Sequence, residues 1–273
     1  LFGKFHMPQG AEFYIYNEDK TYKIGAFTSL NNKPHGEFST APVKGKTVIL
    51  EYFEPKAVKN QGTIVISSIV HAYRDMFAQA QNAATKGYGD SGSCNIDVAC
   101  SASAGWENEI QSVAMIITSG NTRWCSGSML NNTLQDQTPY FLTADHCLDG
   151  NENTWMFIFN YESPTCNGVD GSLMESVSGS TTKATYPTAD MALLELSVQP
   201  PQSYNVHFSG WDKSGIAPTS ATGIHHPAGD VKKICFDNDP SIDGTFYNTD
   251  HWQVSVWDLG TTAVSSNVSS VES

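Results

Sequence analysis

No apolar run in this chain approaches the roughly 20 residues needed to cross a bilayer. Nothing at the start reads as a signal peptide either. The first residue is Leu1 rather than Met, so the true N-terminus is expected upstream, and a cytosolic home does not follow. Basic residues are few: 15 Lys and Arg against 28 Asp and Glu give a net charge of −13. This argues against a nucleic-acid partner, because phosphate neutralisation needs clustered Lys and Arg. An acidic surface that keeps the protein soluble accounts for the balance. No pair of cysteines has the C-x-x-C spacing, which excludes a zinc ribbon and a thioredoxin-like site and argues against a cytosolic metal-binding protein. Long amphipathic helical patterns are lacking as well.

Short β-branched and aromatic runs between turn residues predict a mostly β protein, and 273 residues suffice for one large or two ordinary domains. Strands are expected at Phe13-Tyr14-Ile15-Tyr16, Ile24-Gly25-Ala26-Phe27, 47–53 and Thr63-Ile64-Val65-Ile66. This first part holds no cysteine, whereas Cys94, Cys100, Cys125, Cys147, Cys166 and Cys235 all lie beyond it. The shift places a domain boundary in 79–90, with a small β-rich accessory or pro-segment over 1–86. No chemistry is legible in it, since His6, His35 and His71 lack metal-ligand spacing. Six cysteines at irregular spacing in a Gly/Ser/Thr-rich region predict disulfides and an oxidising compartment, with fifteen possible pairings.

In the second part, 87–273, a strand is expected at 112–117, followed by a turn at Ser119-Gly120-Asn121 and further short strands. Hairpin-linked strands of this kind suit a β-barrel. Tyr140-Phe141-Leu142-Thr143-Ala144-Asp145-His146-Cys147 is an apolar strand that ends in a histidine and a cysteine. A general base needs such a fixed orientation, although a lone histidine is ordinarily a hydrogen-bonded loop residue. Further on, Thr188-Ala189-Asp190-Met191-Ala192-Leu193-Leu194-Glu195-Leu196 sets an aspartate at the entrance to an apolar strand. Alone, Asp190 reads as a turn residue. With His146 it completes the order His then Asp, each beside a strand, that a His…Asp…Ser triad requires.

Several motifs in order then carry a family resemblance. Gly92-Ser93-Cys94-Asn95-Ile96-Asp97-Val98, the His146 and Asp190 stretches, Gly210-Trp211-Asp212 and Ile224-His225-His226-Pro227-Ala228-Gly229-Asp230 resemble the lysyl endopeptidase group of secreted bacterial trypsin-like serine proteases. The resemblance covers about residues 87–262. It implies a chymotrypsin-type double β-barrel, His146 as general base and Asp190 as its orienting acid. It also implies disulfides Cys125–Cys147 and Cys100–Cys166. Cys94 is expected either to pair with Cys235 or to lack its partner. Trp211 is a candidate for flanking the cleft, with a buried core tryptophan as the other reading. The adjacent His225 and His226 are expected to be structural rather than metal ligands. Cleavage after Lys86 would release the first segment.

At the nucleophile the chain departs from the family pattern. Trp257-Asp258-Leu259-Gly260-Thr261-Thr262 fits it, but Ala263-Val264-Ser265-Ser266-Asn267-Val268-Ser269-Ser270 follows where Gly-Ser-Ser-Gly-Ser-Pro is required. Asn267 occupies the place of the attacking serine, and an amide cannot attack as an alkoxide does. Ser265 and Val268 stand where glycines are required, and backbone N–H groups at the glycine before the nucleophile form the oxyanion hole. Ser266 and Ser269 serve only in a shifted alignment and read as a polar tail. The chain stops at Ser273, ahead of the strands that line the specificity pocket, so the second barrel is expected to be incomplete. The expectation is a secreted or cell-surface bacterial endopeptidase, Lys-directed by resemblance and inactive as this piece, through a gene or frame error or a genuine loss. It would act as a monomer on polypeptide, without cofactor or metal. The rival reading is a non-catalytic binding or adhesion module on the same fold.

Overall fold

The computed structural model describes residues 1–70, 88–118, 124–246 and 249–260. His71, the Ser119-Gly120-Asn121 turn, Lys86, Ser266, Asn267 and Ser269 lie outside them. The described part is mostly β, as the composition predicts, and no helix in it is long and apolar enough to cross a membrane.

Residues 1–70 fold around aromatic side chains. Strand β1 (Phe2–His6) pairs with β5 (Thr63–Ile66), and β2 (Glu12–Asn17) lies between β3 (Lys23–Phe27) and β4 (Val48–Phe53), all antiparallel. Alternation along β2 turns Phe13 and Ile15 inward, where Phe2, Phe5, Met7, Ile24 and Phe38 meet them. Phe5 and Phe38 stack with ring centroids 4.3 Å apart.

Strand β6 (Ile96–Asp97) and the short helix α1 (Glu107–Ser112) lead into the main sheet. The helix occupies a stretch whose sequence shows only the strand after it; six residues are too few for a helical period to register. The sheet contains β7 (Val113–Ile117), β8 (Trp124–Leu130), β9 (Tyr140–Thr143), β10 (Met156–Phe159), β11 (Ser176–Ser178), β12 (Ser180–Tyr186) and β13 (Met191–Leu196). Its order is β11-β10-β7-β8-β9-β13-β12, antiparallel throughout. The two edge strands of that order, β11 and β12, are joined by Gly179 alone, so the sheet must curl until its edges meet. Gly179 has φ +79°, donates its N–H to the Trp155 carbonyl and accepts from Ser197. Only glycine takes this corner without strain.

Inside the curl, Ala114, Ile116, Phe141, Phe157, Phe159, Leu194 and Leu196 form one core. The outer faces of β7 and β10 are buried too: Met115, Ile117, Met156 and Ile158 pack under Ala41, Tyr161, Leu173 and Val231. Burial on both faces explains why these two strands read as unbroken apolar runs. Beyond the sheet, β15 (Lys233–Asp237) pairs with β6 and with β14 (Ala221–His225), and β16 (Ile242–Phe246) forms a hairpin with β17 (Thr249–Gln253). The Lys233 ammonium is buried against the Asp97 carboxylate, directly across the β15–β6 register.

Candidate active site

Two adjacent strands of the curled sheet place the histidine and the aspartate. Strand β9 ends at Thr143, Ala144 stays extended, and a 3₁₀ turn over Asp145–Cys147 presents His146 to solvent. Cys147 at the end of that turn is fully buried and disulfide-bonded to Cys125 of β8. Strand β13 runs beside β9, with Ala192 opposite Thr143. Asp190, two residues before Ala192, follows the 3₁₀ turn Pro187–Ala189 and adopts φ 49°, ψ 44°. Aspartate is among the few side chains that take this left-handed conformation readily. The same turn explains why the residue stays at the mouth of the strand.

Asp190 grips the histidine loop at three points. Its Oδ2 lies 2.6 Å from His146 Nδ1, its Oδ1 accepts the His146 backbone N–H at 2.8 Å, and its carbonyl accepts the Asp145 N–H at 3.1 Å. The carboxylate is half-buried and the imidazole is open to solvent. Because an ionised carboxylate only accepts, the proton belongs on Nδ1 and the lone pair on Nε2. That is the tautomer a general base needs.

Behind this pair, Gly127 of β8 allows strand β9 to approach. A Cβ there would run into the Phe141 ring and lie 2.5 Å from the Leu142 carbonyl oxygen. Ser126, next to Cys125, is a second element the sequence did not single out. Its Oγ accepts the His226 N–H at 2.8 Å, and its carbonyl accepts from Thr143 Oγ1 at 2.9 Å. One residue thus ties the His146 strand to the loop that leaves β14.

The other expected residues fall as follows. Cys100 and Cys166 are disulfide-bonded. Cys94 and Cys235 are both free thiols, so the Cys94–Cys235 pairing is absent. Cys235 is engaged with β14 instead: its Sγ donates to the Gly223 carbonyl at 3.5 Å, and a Cβ on Gly223 would meet both that sulfur and the Trp257 ring. Burial pushes the Cys235 thiol up to about 11. Trp211 is 52% exposed, which overturns the buried-core reading. His225 and His226 are buried; His226 Nδ1 meets the Asp230 carbonyl at 3.0 Å and its ring stacks on Tyr161. Desolvation holds His225 down to about 4 and His226 well below the usual histidine value. Neutral, enclosed imidazoles of this kind are packing elements.

Among the described residues, two side-chain groups have metal-ligand proximity. One is Cys125, His146 and Cys147, whose sulfurs are committed to the disulfide. The other is Asp237, Asp239 and Asp258, where Asp237 accepts the Asp239 N–H and Asp258 accepts the Asn238 N–H. Neither carries a further argument for an ion.

The chain is 33% identical to the lysyl endopeptidase of Pseudomonas aeruginosa over 174 residues, covering 59% of this chain and 37% of that protein. It therefore spans little more than a third of that relative's length. Among solved structures, the crystal structure of the protease Anisep from Arthrobacter nicotinovorans matches with a TM-score of 0.39 and 17% identity, covering 64% of this chain and 82% of that one. The family described as lysyl endopeptidase, C-terminal domain, matches residues 88–271. This chain belongs to that family.

Proposed function

We propose that residues 87–273 form a trypsin-like serine endopeptidase unit of the chymotrypsin double-barrel type, with residues 1–86 as an accessory or pro-segment. His146 is the general base and Asp190 its orienting acid. The single observation that supports this is the triple grip of Asp190 on the His146 loop, made between neighbouring strand ends and braced by the Cys125–Cys147 disulfide. In the reaction, His146 Nε2 takes the proton of a serine hydroxyl as its oxygen attacks the scissile carbonyl. The same nitrogen then protonates the departing amine and, in the second half, activates water against the acyl ester. Asp190 stabilises the imidazolium formed in each half. Cleavage after lysine is the family's specificity by name, and the exposure of Trp211 is compatible with the cleft-flanking role that family resemblance implies for it. The disulfides suit secretion into an oxidising medium.

In this polypeptide Asn267 takes the nucleophile's place, so base and acid are present without an attacking hydroxyl. The expected result with a lysyl amide substrate is no turnover. Turnover that disappears on His146→Ala would overturn the Asn267 assignment and return Ser266 or Ser269 as nucleophile. The base itself is tested separately by proton NMR: His146 Nδ1–H should resonate far downfield and be lost in Asp190→Ala. Its absence in the parent protein would refute the dyad. The same Asn267 also supports a second reading, a module that binds polypeptide without cutting it. Saturable binding of a lysyl peptide recovered intact would favour that reading.

A further inference from the structure

The first segment is joined to the curled sheet by more than the chain connection. Residues 33–41 lie along the outer face of β10 and β11, with Phe38 in the aromatic core of residues 1–70 and Ala41 in the core over β7 and β10. Ser39, also buried, donates to the Thr154 carbonyl at 2.7 Å and lies against Met156 Sδ. Glu37 accepts from Asn153 Nδ2 at 2.7 Å. Lys33 is the anomaly in this interface. It is 7% exposed, its Nζ donates to Ser178 Oγ at 2.7 Å, and it lies 5.4 Å from the Phe38 ring centroid. A Cβ on Gly179 would come within 2.5 Å of Nζ, so the amine fills the corner where β11 turns into β12.

Among the described residues, the carboxylates on the segment of Lys33 and on the elements it packs against have other partners. On its own segment, Glu37 is bound to Asn153 and faces His35 at 3.8 Å. On the turn before β10, Glu152 accepts the N–H groups of Asp149 and Gly150. At the entry to β11, Glu175 accepts from Asn160. Among the described residues no carboxylate makes an ion pair with Lys33. A buried ammonium without a counter-charge is costly, and the inexpensive form is the neutral amine.

We propose that residues 33–41 are a latch that holds residues 1–70 on the outer face of the curled sheet and tightens as the Lys33 amine loses its proton. Burial lowers the Lys33 amine from 10.5 to about 7. The docked state therefore holds fewer protons than the undocked one between pH 7 and 10.5, so docking strengthens across that window and levels off below it.

The test uses the full chain, with lysine Cε observed by NMR and the amides of residues 33–41 followed by hydrogen exchange. Lys33 should titrate near pH 7. Protection of residues 33–41, corrected for intrinsic rates and referred to Met156–Phe159, should rise about tenfold or more between about pH 6 and 9. In Lys33→Met the rise should vanish. A Lys33 midpoint near that of free lysine overturns the proposal. So does pH-independent protection in the parent, or a rise that persists in Lys33→Met. The parent titration and exchange decide the matter even if the variant fails to fold.

Discussion

Removing the disulfide beside His146 separates the stability of the histidine loop from its geometry. The bond closes a loop of 22 residues between Cys125 and Cys147. Loop-closure entropy for that length corresponds to about 3 kcal/mol, and the 66-residue loop of Cys100–Cys166 to about 4 kcal/mol. Against a total of roughly 5–15 kcal/mol, either loss is large. With a urea slope of about 3 kcal/mol/M for a chain of this size, Cys125→Ala/Cys147→Ala should lower the unfolding midpoint by about 1 M. The site itself should persist in the folded fraction, because Asp190 still holds the Asp145 and His146 N–H groups. Equilibrium urea unfolding by tryptophan fluorescence gives the first quantity, and the downfield His146 Nδ1 proton gives the second. An unchanged midpoint would refute the entropic estimate. Loss of the proton signal from folded protein would show that the disulfide, rather than Asp190, positions the imidazole.

Three further outcomes are expected. Gly127→Ala should destabilise the protein by about 3 kcal/mol in urea unfolding, since its methyl group meets the Phe141 ring and the Leu142 carbonyl at once; a neutral result would mean that β8 and β9 are not so closely apposed. His225, held neutral down to about 4 against a usual 6.5, contributes stability that is complete above 6.5 and lost as pH falls towards 4. That loss is about 3 kcal/mol and should be absent from the pH dependence of His225→Gln unfolding. Cys235, raised to about 11, should resist maleimide at pH 8 in the native state and react once unfolded; rapid native labelling would contradict its burial.

What the sequence made legible follows the range of the forces involved. Alternation and apolar runs locate strands because side-chain burial is a local pattern, and β2, β7 and β13 fall where Phe13, Ile116 and Leu194 predict them. His146 and Asp190 were readable because each stands at the end of such a run. That they meet, 44 positions apart in the sequence, depends on β9 pairing with β13. No local periodicity encodes that pairing, and family resemblance had to supply it. The Lys33 contact with Ser178 spans 145 positions and left no trace in the sequence, because a lysine in a turn-rich stretch reads as solvated. Its burial is decided by the corner at Gly179, which no residue near Lys33 announces. The same logic bears on the free thiols. Family resemblance left Cys94 either to pair with Cys235 or to lack a partner, and the second holds: the β14–β15 register turns Cys235 inward against Gly223. In this chain, local chemistry identifies the groups and strand register decides which of them meet. A substitution that shifts β13 against β9 by one residue would therefore part His146 from Asp190 while leaving both residues unchanged.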